Sequence, residues 1–333
     1  MRYSLLLRGI GALAVLGCLP AQRARSGAME SLGTGEIPVQ YIADRFAVAP
    51  ITEQGDTLVL YTDTGGGTSR LWAETVSRLG LAAESVVLGR DTLSVVSLPP
   101  LIRTATIPPP NELPPIGERL LVTTSTTTGG LRRDGFLGRM WFADRVWVFD
   151  YPRQSLTLLT GGAARAVASP HLVPLGFQQD SSGRRTRHFP RIRVAVDGDS
   201  LDLLFDTGAT VSLTDSARAT LIAWGFDGPA ERGTSFITQS VFERWRAAHP
   251  DWRVIEGANR AFDKEWAMIE VPLLAIAGYQ VGPVWFTMRS TQSFQGMSTA
   301  MDAPIQGALG GSALKYFRIT LDYPNATARF ERP

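Results

Sequence analysis

LVLYTDTGGGTSRLW, Leu58–Trp72, decides how the chain is read. An apolar, β-prone run stops at Asp63, Thr64 and three glycines, and a Leu-Trp pair follows. One Asp-Thr-Gly is weak evidence for anything, because turn aspartates end strands everywhere. The same tripeptide returns at Asp206, Thr207 and Gly208, within LDLLFDTGATVSLTD. Both copies close a run suited to a strand, Leu58–Thr62 and Leu201–Phe205, and a helix-like stretch follows each, around 73–81 and 216–224. Ahead of the second copy, Ile192, Val194 and Val196 alternate with other residues, and Asp197-Gly198 offers a tight hairpin turn.

A second pair of segments repeats more tightly. FLGRMWFADRVWVFDYPRQSLTLL starts at Phe136, and ALGGSALKYFRITLDYPNATARF starts at Ala308. Gly138 and Gly310 are 172 positions apart, as are Asp150 and Asp322, Tyr151 and Tyr323, and Pro152 and Pro324. Each segment reads as Leu-Gly, a short helix, an apolar strand, an Asp-Tyr-Pro turn and a last strand. The Asp-Thr-Gly copies are 143 apart, so the second half carries extra residues between its motif and its Leu-Gly. These include TQSVFERWRAAHPDW, where Ser240 and Glu243 form a capping-box pattern and Val241, Trp245 and Ala248 recur at helical spacing. We expect an added helix there, packed on its lobe or shaping a substrate site.

The chain is therefore expected to be mainly β, with two duplicated barrel-like lobes, short helices and one added helix in the C-terminal lobe. The expected boundaries are a lobe over 37–160, a Gly- and Ala-rich linker over 161–172 and a second lobe over 173–333. Its 333 residues suffice for two cores.

Composition removes several classes of function. Formal net charge is +2 and no basic block of five or more occurs, so nothing points to nucleic acid. Arg184, Arg185, Arg187 and His188 form a short cluster, read as a solvated loop ahead of an anion site. Cys18 is the single cysteine. This excludes a disulfide within the chain and leaves stability to packing. His171, His188 and His249 are scattered, with no metal-binding His-Glu-x-x-His, nucleophile elbow or phosphate loop. No metal and no cofactor are expected.

Arg2 and the apolar stretch Leu5–Leu16 read as an export signal over 1–18, too short to span a bilayer comfortably. Val15-Leu16-Gly17-Cys18 resembles a bacterial lipobox, which would make Cys18 a lipidation site and anchor an exported, periplasmic chain to a membrane. Ordinary cleavage near Ala21 is the alternative. Residues 19–36 read as a flexible tether.

Two Asp-Thr-Gly motifs, each with an apolar-apolar-Gly segment in its own lobe, resemble the aspartic peptidases of the pepsin and retropepsin type. DTGGGTSRLW is similar to the pepsin N-lobe signature, with Leu-Trp displaced by two residues. DTGAT with GALGGSALKYFRITLDYP is closer to the bacterial retropepsin-like peptidases. The resemblance spans nearly all of residues 45–330. It implies a bilobal monomer that cuts extended polypeptides through a water activated between Asp63 and Asp206. It further implies that Thr64 and Thr207 cross-bond the two loops. Gly65 and Gly208 would allow close backbone approach, and Gly138 and Gly310 would cross behind the motifs. The alternative is an exported peptide-binding protein on the same fold. Two departures stand out. Gly66 and Ala209 replace the hydroxyl residue usual after each motif, which implies a pH optimum less acid than pepsin's. The flap tyrosine is missing, since no Tyr lies between Tyr61 and Tyr151. A flap would fall in Val86–Arg119, whose prolines favour an extended loop over a simple hairpin. AIAGYQVGPVWF, Ala275–Phe286, is a second flap candidate or a core hairpin.

Overall fold

The computed structural model describes residues 35–125, 133–161, 168–261 and 264–333. The export signal, most of the tether and Cys18 lie outside the described residues.

The first half begins with β1 (Gly35–Ile37) and the hairpin of β2 (Val39–Ile42) and β3 (Arg45–Val48). β4 (Leu60–Thr62) runs into Asp63. Next come β5 (Arg70–Trp72), α1 (Ala73–Arg78) and a hairpin of β6 (Glu84–Leu88) and β7 (Asp91–Val96). A proline-rich stretch leads to β8 (Leu120–Thr123). β9 (Gly135–Leu137), α2 (Arg139–Phe142), β10 (Val146–Asp150) and β11 (Ser155–Leu159) finish this half.

The second half opens with β12 (Leu172–Pro174), then the hairpin of β13 (Arg191–Val196) and β14 (Asp199–Phe205), which runs into Asp206. β15 (Thr210–Ser212), α3 (Asp215–Ala223), β16 (Glu231–Gly233), β17 (Ser235–Thr238) and α4 (Gln239–Ala248) follow. Two more hairpins are β18 (Val254–Ala261) with β19 (Lys264–Val271), and β20 (Leu274–Ile276) with β21 (Tyr279–Val281). β22 (Val284–Arg289), α5 (Thr291–Ser298), β23 (Gly307–Leu309), α6 (Gly311–Leu314), β24 (Arg318–Asp322) and β25 (Thr327–Glu331) end the chain.

The duplication seen in the sequence is a duplication of pairing. In the first lobe β4 lies parallel to β9, with Thr62 opposite Leu137, and β5 lies antiparallel to β9. In the second, β14 lies parallel to β23, with Phe205 opposite Leu309, and β17 lies antiparallel to β23. Eight strands form the first sheet and nine the second. A third, six-stranded sheet joins the halves in the order β1-β11-β10-β24-β25-β12. At its centre β10 pairs antiparallel with β24, and Val148 faces Thr320, its own counterpart in the repeat. A local two-fold axis therefore passes between these two residues. β10 is buried along its whole length, and Trp141, Trp147, Phe149, Tyr151, Phe317 and Tyr323 fill the shared core. The fold is mainly β and bilobal.

Several local expectations change. Gly35 and Glu36, read as tether, belong to β1, and Leu172, read as linker, begins β12. α4 starts at Gln239 with Thr238 as its N-cap, so the Ser240–Glu243 capping box does not form. Instead Glu243 accepts from Gln239 at 2.6 Å. Phe242, not Ala248, completes the buried face beside Val241 and Trp245. A simple hairpin does form in the flap region, turning at Gly89 with φ +64°, because the prolines all lie beyond its second strand. The Gly278-Tyr279 hairpin is the outer edge of the second sheet, joined through Ala195 and Ala275, and is no flap.

The β2–β3 turn, Ala43-Asp44, has both residues at positive φ and reaches into the second half. Gly233 donates its N–H to the Ala43 carbonyl at 2.7 Å, and Lys315 lies 3.5 Å from Asp44. A Cβ on Gly311 would overlap the Asp44 carbonyl. Gly311→Ala is therefore expected to loosen the docking of the halves and cost about 1–3 kcal/mol in urea unfolding. An unchanged midpoint would remove this contact from the interface.

Candidate active site

Each Asp-Thr-Gly turn hangs from a parallel strand pair, which fixes where its aspartate begins. Asp63 donates its N–H to the Leu137 carbonyl at 3.0 Å, and Asp206 to the Leu309 carbonyl at 2.9 Å. The turns then fold back on themselves. The Gly65 amide donates to Asp63 Oδ1 at 2.8 Å, and the Gly208 amide to Asp206 Oδ1 at 2.9 Å. The two carboxyl groups face each other across the interface, close enough for each to act on the other's charge. Each keeps partial exposure while protein closes most of its surroundings.

The threonines join the two turns. The Thr64 amide donates to Thr207 Oγ1 at 3.2 Å, and the Thr207 amide donates to Thr64 Oγ1 at 3.0 Å. Thr64 Oγ1 also donates to the Phe205 carbonyl at 2.6 Å. Both threonines are fully buried, so these bonds form out of competition with water.

Glycine is required at four of the expected positions because the turns leave no space. A Cβ on Gly65 would stand 2.8 Å from Asp206 Cγ, and one on Gly208 would overlap the Asp63 carboxyl. A Cβ on Gly138 would overlap the Gly67 carbonyl, and one on Gly310 the Thr234 carbonyl. The two Asp-Thr-Gly turns thus meet at one interface, and Gly138 and Gly310 each pack behind the turn of their own half. The three histidines do not join them. His171 stacks on Tyr279 and His249 on Trp252, both in the second lobe. Half-buried His188 is held below its ordinary pKa by desolvation. Arg184 of the Arg-rich cluster pairs with Asp180, and Arg185 covers the Phe177 ring. Among the described residues, no three His, Cys, Asp or Glu side chains group to hold a metal.

Other residues were not foreseen. Ser69 and Ser235 accept the amides of Gly138 and Gly310, each at 3.0 Å. They are repeat partners, hidden in the sequence because each half spaces its motif and serine differently. Tyr61 is the second. Its hydroxyl donates to the Gly208 carbonyl across the interface and lies 2.6 Å from Thr210 Oγ1. Arg133 covers the Tyr61 ring at 4.7 Å and pairs with Glu231, which buried Arg45 also meets at 2.7 Å. Arg45 donates to Thr210 Oγ1 as well. Burial and the nearby Asp63 push the Tyr61 hydroxyl up to about 12, so it stays a donor at any working pH.

No family model matches the chain, and no curated protein does. Among solved structures, an aspartic proteinase from Irpex lacteus is similar, with a TM-score of 0.48 and 12% identity over 90% of this chain and 97% of that one.

The electrostatics of the pair follow from its geometry. Burial and the facing Asp206 raise Asp63 well above the ordinary carboxyl range. Burial raises Asp206 too, against the amides of Gly208 and Ala209. Two carboxylates this close hold one proton between them far more readily than either would alone. The folded protein therefore binds that proton more tightly than the unfolded chain. Stability from this source is complete below the ordinary carboxyl range and is lost as pH rises through the raised values. Asp63→Asn removes the titration. We expect the variant to outlast the parent in urea at pH 7, with the two converging at pH 3. A parent more stable than the variant at pH 7 would contradict a shared proton.

Proposed function

We propose that the chain is an aspartic endopeptidase. The observation that carries this reading is the pair of facing carboxyl groups, related by a two-fold axis, each pinned by its own glycine amide. A water between them would lose a proton to the ionised carboxylate and attack the peptide carbonyl. The protonated partner would donate to the carbonyl oxygen, giving a tetrahedral diol without an enzyme-bound intermediate. The carboxyl that took the water's proton would give one to the leaving nitrogen while its ionised partner takes one from a diol hydroxyl, so that the C–N bond breaks, the carbonyl re-forms and one proton is left on the pair. The substrate is a polypeptide in extended form, lying in the groove between the lobes, and one chain supplies both half-sites. Export and a lipid anchor on Cys18 complete the proposal. They rest on the sequence of residues 1–18.

The second reading is a binding protein that holds peptides without cutting them. The tip of the β6–β7 hairpin favours it. That tip carries exposed Val87 and Leu88 and no aromatic group to close over a substrate.

Incubation of the full-length protein with a diverse peptide pool from pH 3 to 7 separates the two. We expect cleavage by the parent and a loss of at least about 1,000-fold in both Asp63→Asn and Asp206→Asn. Cleavage surviving either change removes that aspartate from the mechanism. Binding without cleavage in all three supports the second reading. The optimum should lie above about pH 3, because Gly66 and Ala209 bring no hydroxyl to the carboxylates.

A further inference from the structure

The two-fold symmetry fails beside the dyad, and the side chains there differ in chemistry. Tyr61, two residues before Asp63, has Leu204 as its counterpart before Asp206. Leu204 lies against the first lobe, since a Cβ on Gly65 would stand 2.8 Å from Leu204 Cδ2. Across the sheet, Leu204 faces Ala308 and Ala308 faces Phe236. These residues share an apolar cluster with Phe294 and Met297 of α5, and Phe236 and Met297 are only half-buried. The result is an apolar shelf running away from Asp206.

Arg289, the last residue of β22, stands on this shelf. Its guanidinium lies 4.3 Å from the centre of the Phe236 ring. The guanidinium's one hydrogen bond among the described residues is a long 3.4 Å contact to its neighbour's carbonyl, Met288. None of the described carboxylates pairs with it, whereas Arg45 and Arg133 converge on Glu231. Burial alone lowers its pKa, to about 10, so it remains charged at neutral pH. A half-buried, unpaired arginine is costly to the folded protein, and its planar donors are suited to a carboxylate.

We infer that Arg289 over Phe236 is a subsite for a substrate carboxylate, so that the cleft selects polypeptides carrying an acidic side chain or a free C-terminus near the scissile bond. The inference rests on the proposed peptidase reading. The register gives the spacing. Phe236 lies two strands across and two residues along from Asp206, about 12 Å in all, which an extended chain covers in roughly three or four residues. The shelf would hold the intervening apolar side chains.

The test compares matched fluorogenic peptides. One series places Glu or Gln at each of several positions on either side of the bond. Another ends in a free carboxylate or an amide. Each is measured with the full-length parent, Arg289→Met, Arg289→Lys and Arg289→Glu. Ratios within one enzyme are insensitive to how much of a variant is folded. We expect the parent to prefer the carboxylate by about tenfold or more in kcat/KM, at one position about three or four residues from the bond. The ratio should fall to near one in Arg289→Met, persist in part in Arg289→Lys and reverse in Arg289→Glu. The free-terminus series shows whether a side chain or a chain end supplies the group. A parent ratio near one, or a ratio untouched in Arg289→Met, overturns the subsite while leaving the peptidase intact. If nothing is cleaved, the same ratios are read as peptide affinities of Asp206→Asn, with and without Arg289→Met. A ratio that depends on Arg289 then supports the subsite and sinks the peptidase. Equal affinities overturn the subsite.

Discussion

Five residue pairs between β10 and β24, centred on Val148 and Thr320, set one half of the molecule against the other by a two-fold rotation. Backbone ladders tolerate little slippage in a packed core, because a shift of one residue would move every side chain to the opposite face of the sheet. The parallel pairs beneath Asp63 and Asp206 inherit that alignment. The carboxyl groups therefore meet as a consequence of a ladder in another sheet. Crossed threonine bonds that water cannot reach hold the two turns together there.

The two-fold relation holds for the backbone and fails for the side chains next to it. On one side of the dyad, Tyr61, Arg45, Arg133 and Glu231 bind the lobes with hydrogen bonds and charge. Two hydroxyls reach the Gly208 carbonyl there, which leaves it no capacity for another donor. On the other side, Leu204, Ala308 and Phe236 offer apolar surface and one unpaired cation. A symmetric scaffold thus presents two unlike approaches to its centre.

Much of this was legible in the sequence where a feature occurs twice. The Asp-Thr-Gly and Leu-Gly repeats located the strand pairs, both turns and the four crowded glycines. Features that occur once were harder to read. Tyr61 looked like one more β-prone residue, since its partner is a carbonyl 147 residues away. Arg289 carries no signal in the sequence, and only the absence of a paired carboxylate among the described residues marks it. The β6–β7 hairpin is hidden in the composition of Val86–Arg119 because the prolines of that stretch all lie at one end, beyond β7. The capping box failed because α4 continues directly from β17, so its first turn starts two residues earlier than the side-chain pattern suggested.

The fit of Gly65 against Asp206 and of Gly208 against Asp63 carries one more consequence. Each half of the chain defines the space allowed to the other. A duplicated gene usually lets its copies wander independently, each answering to its own core. Here a change at residue 208 is felt at residue 63, and one at 65 at 206, although neither pair is close in sequence. The two copies are therefore bound to change together at these points, while the strands, loops and helices around them remain free to become different proteins.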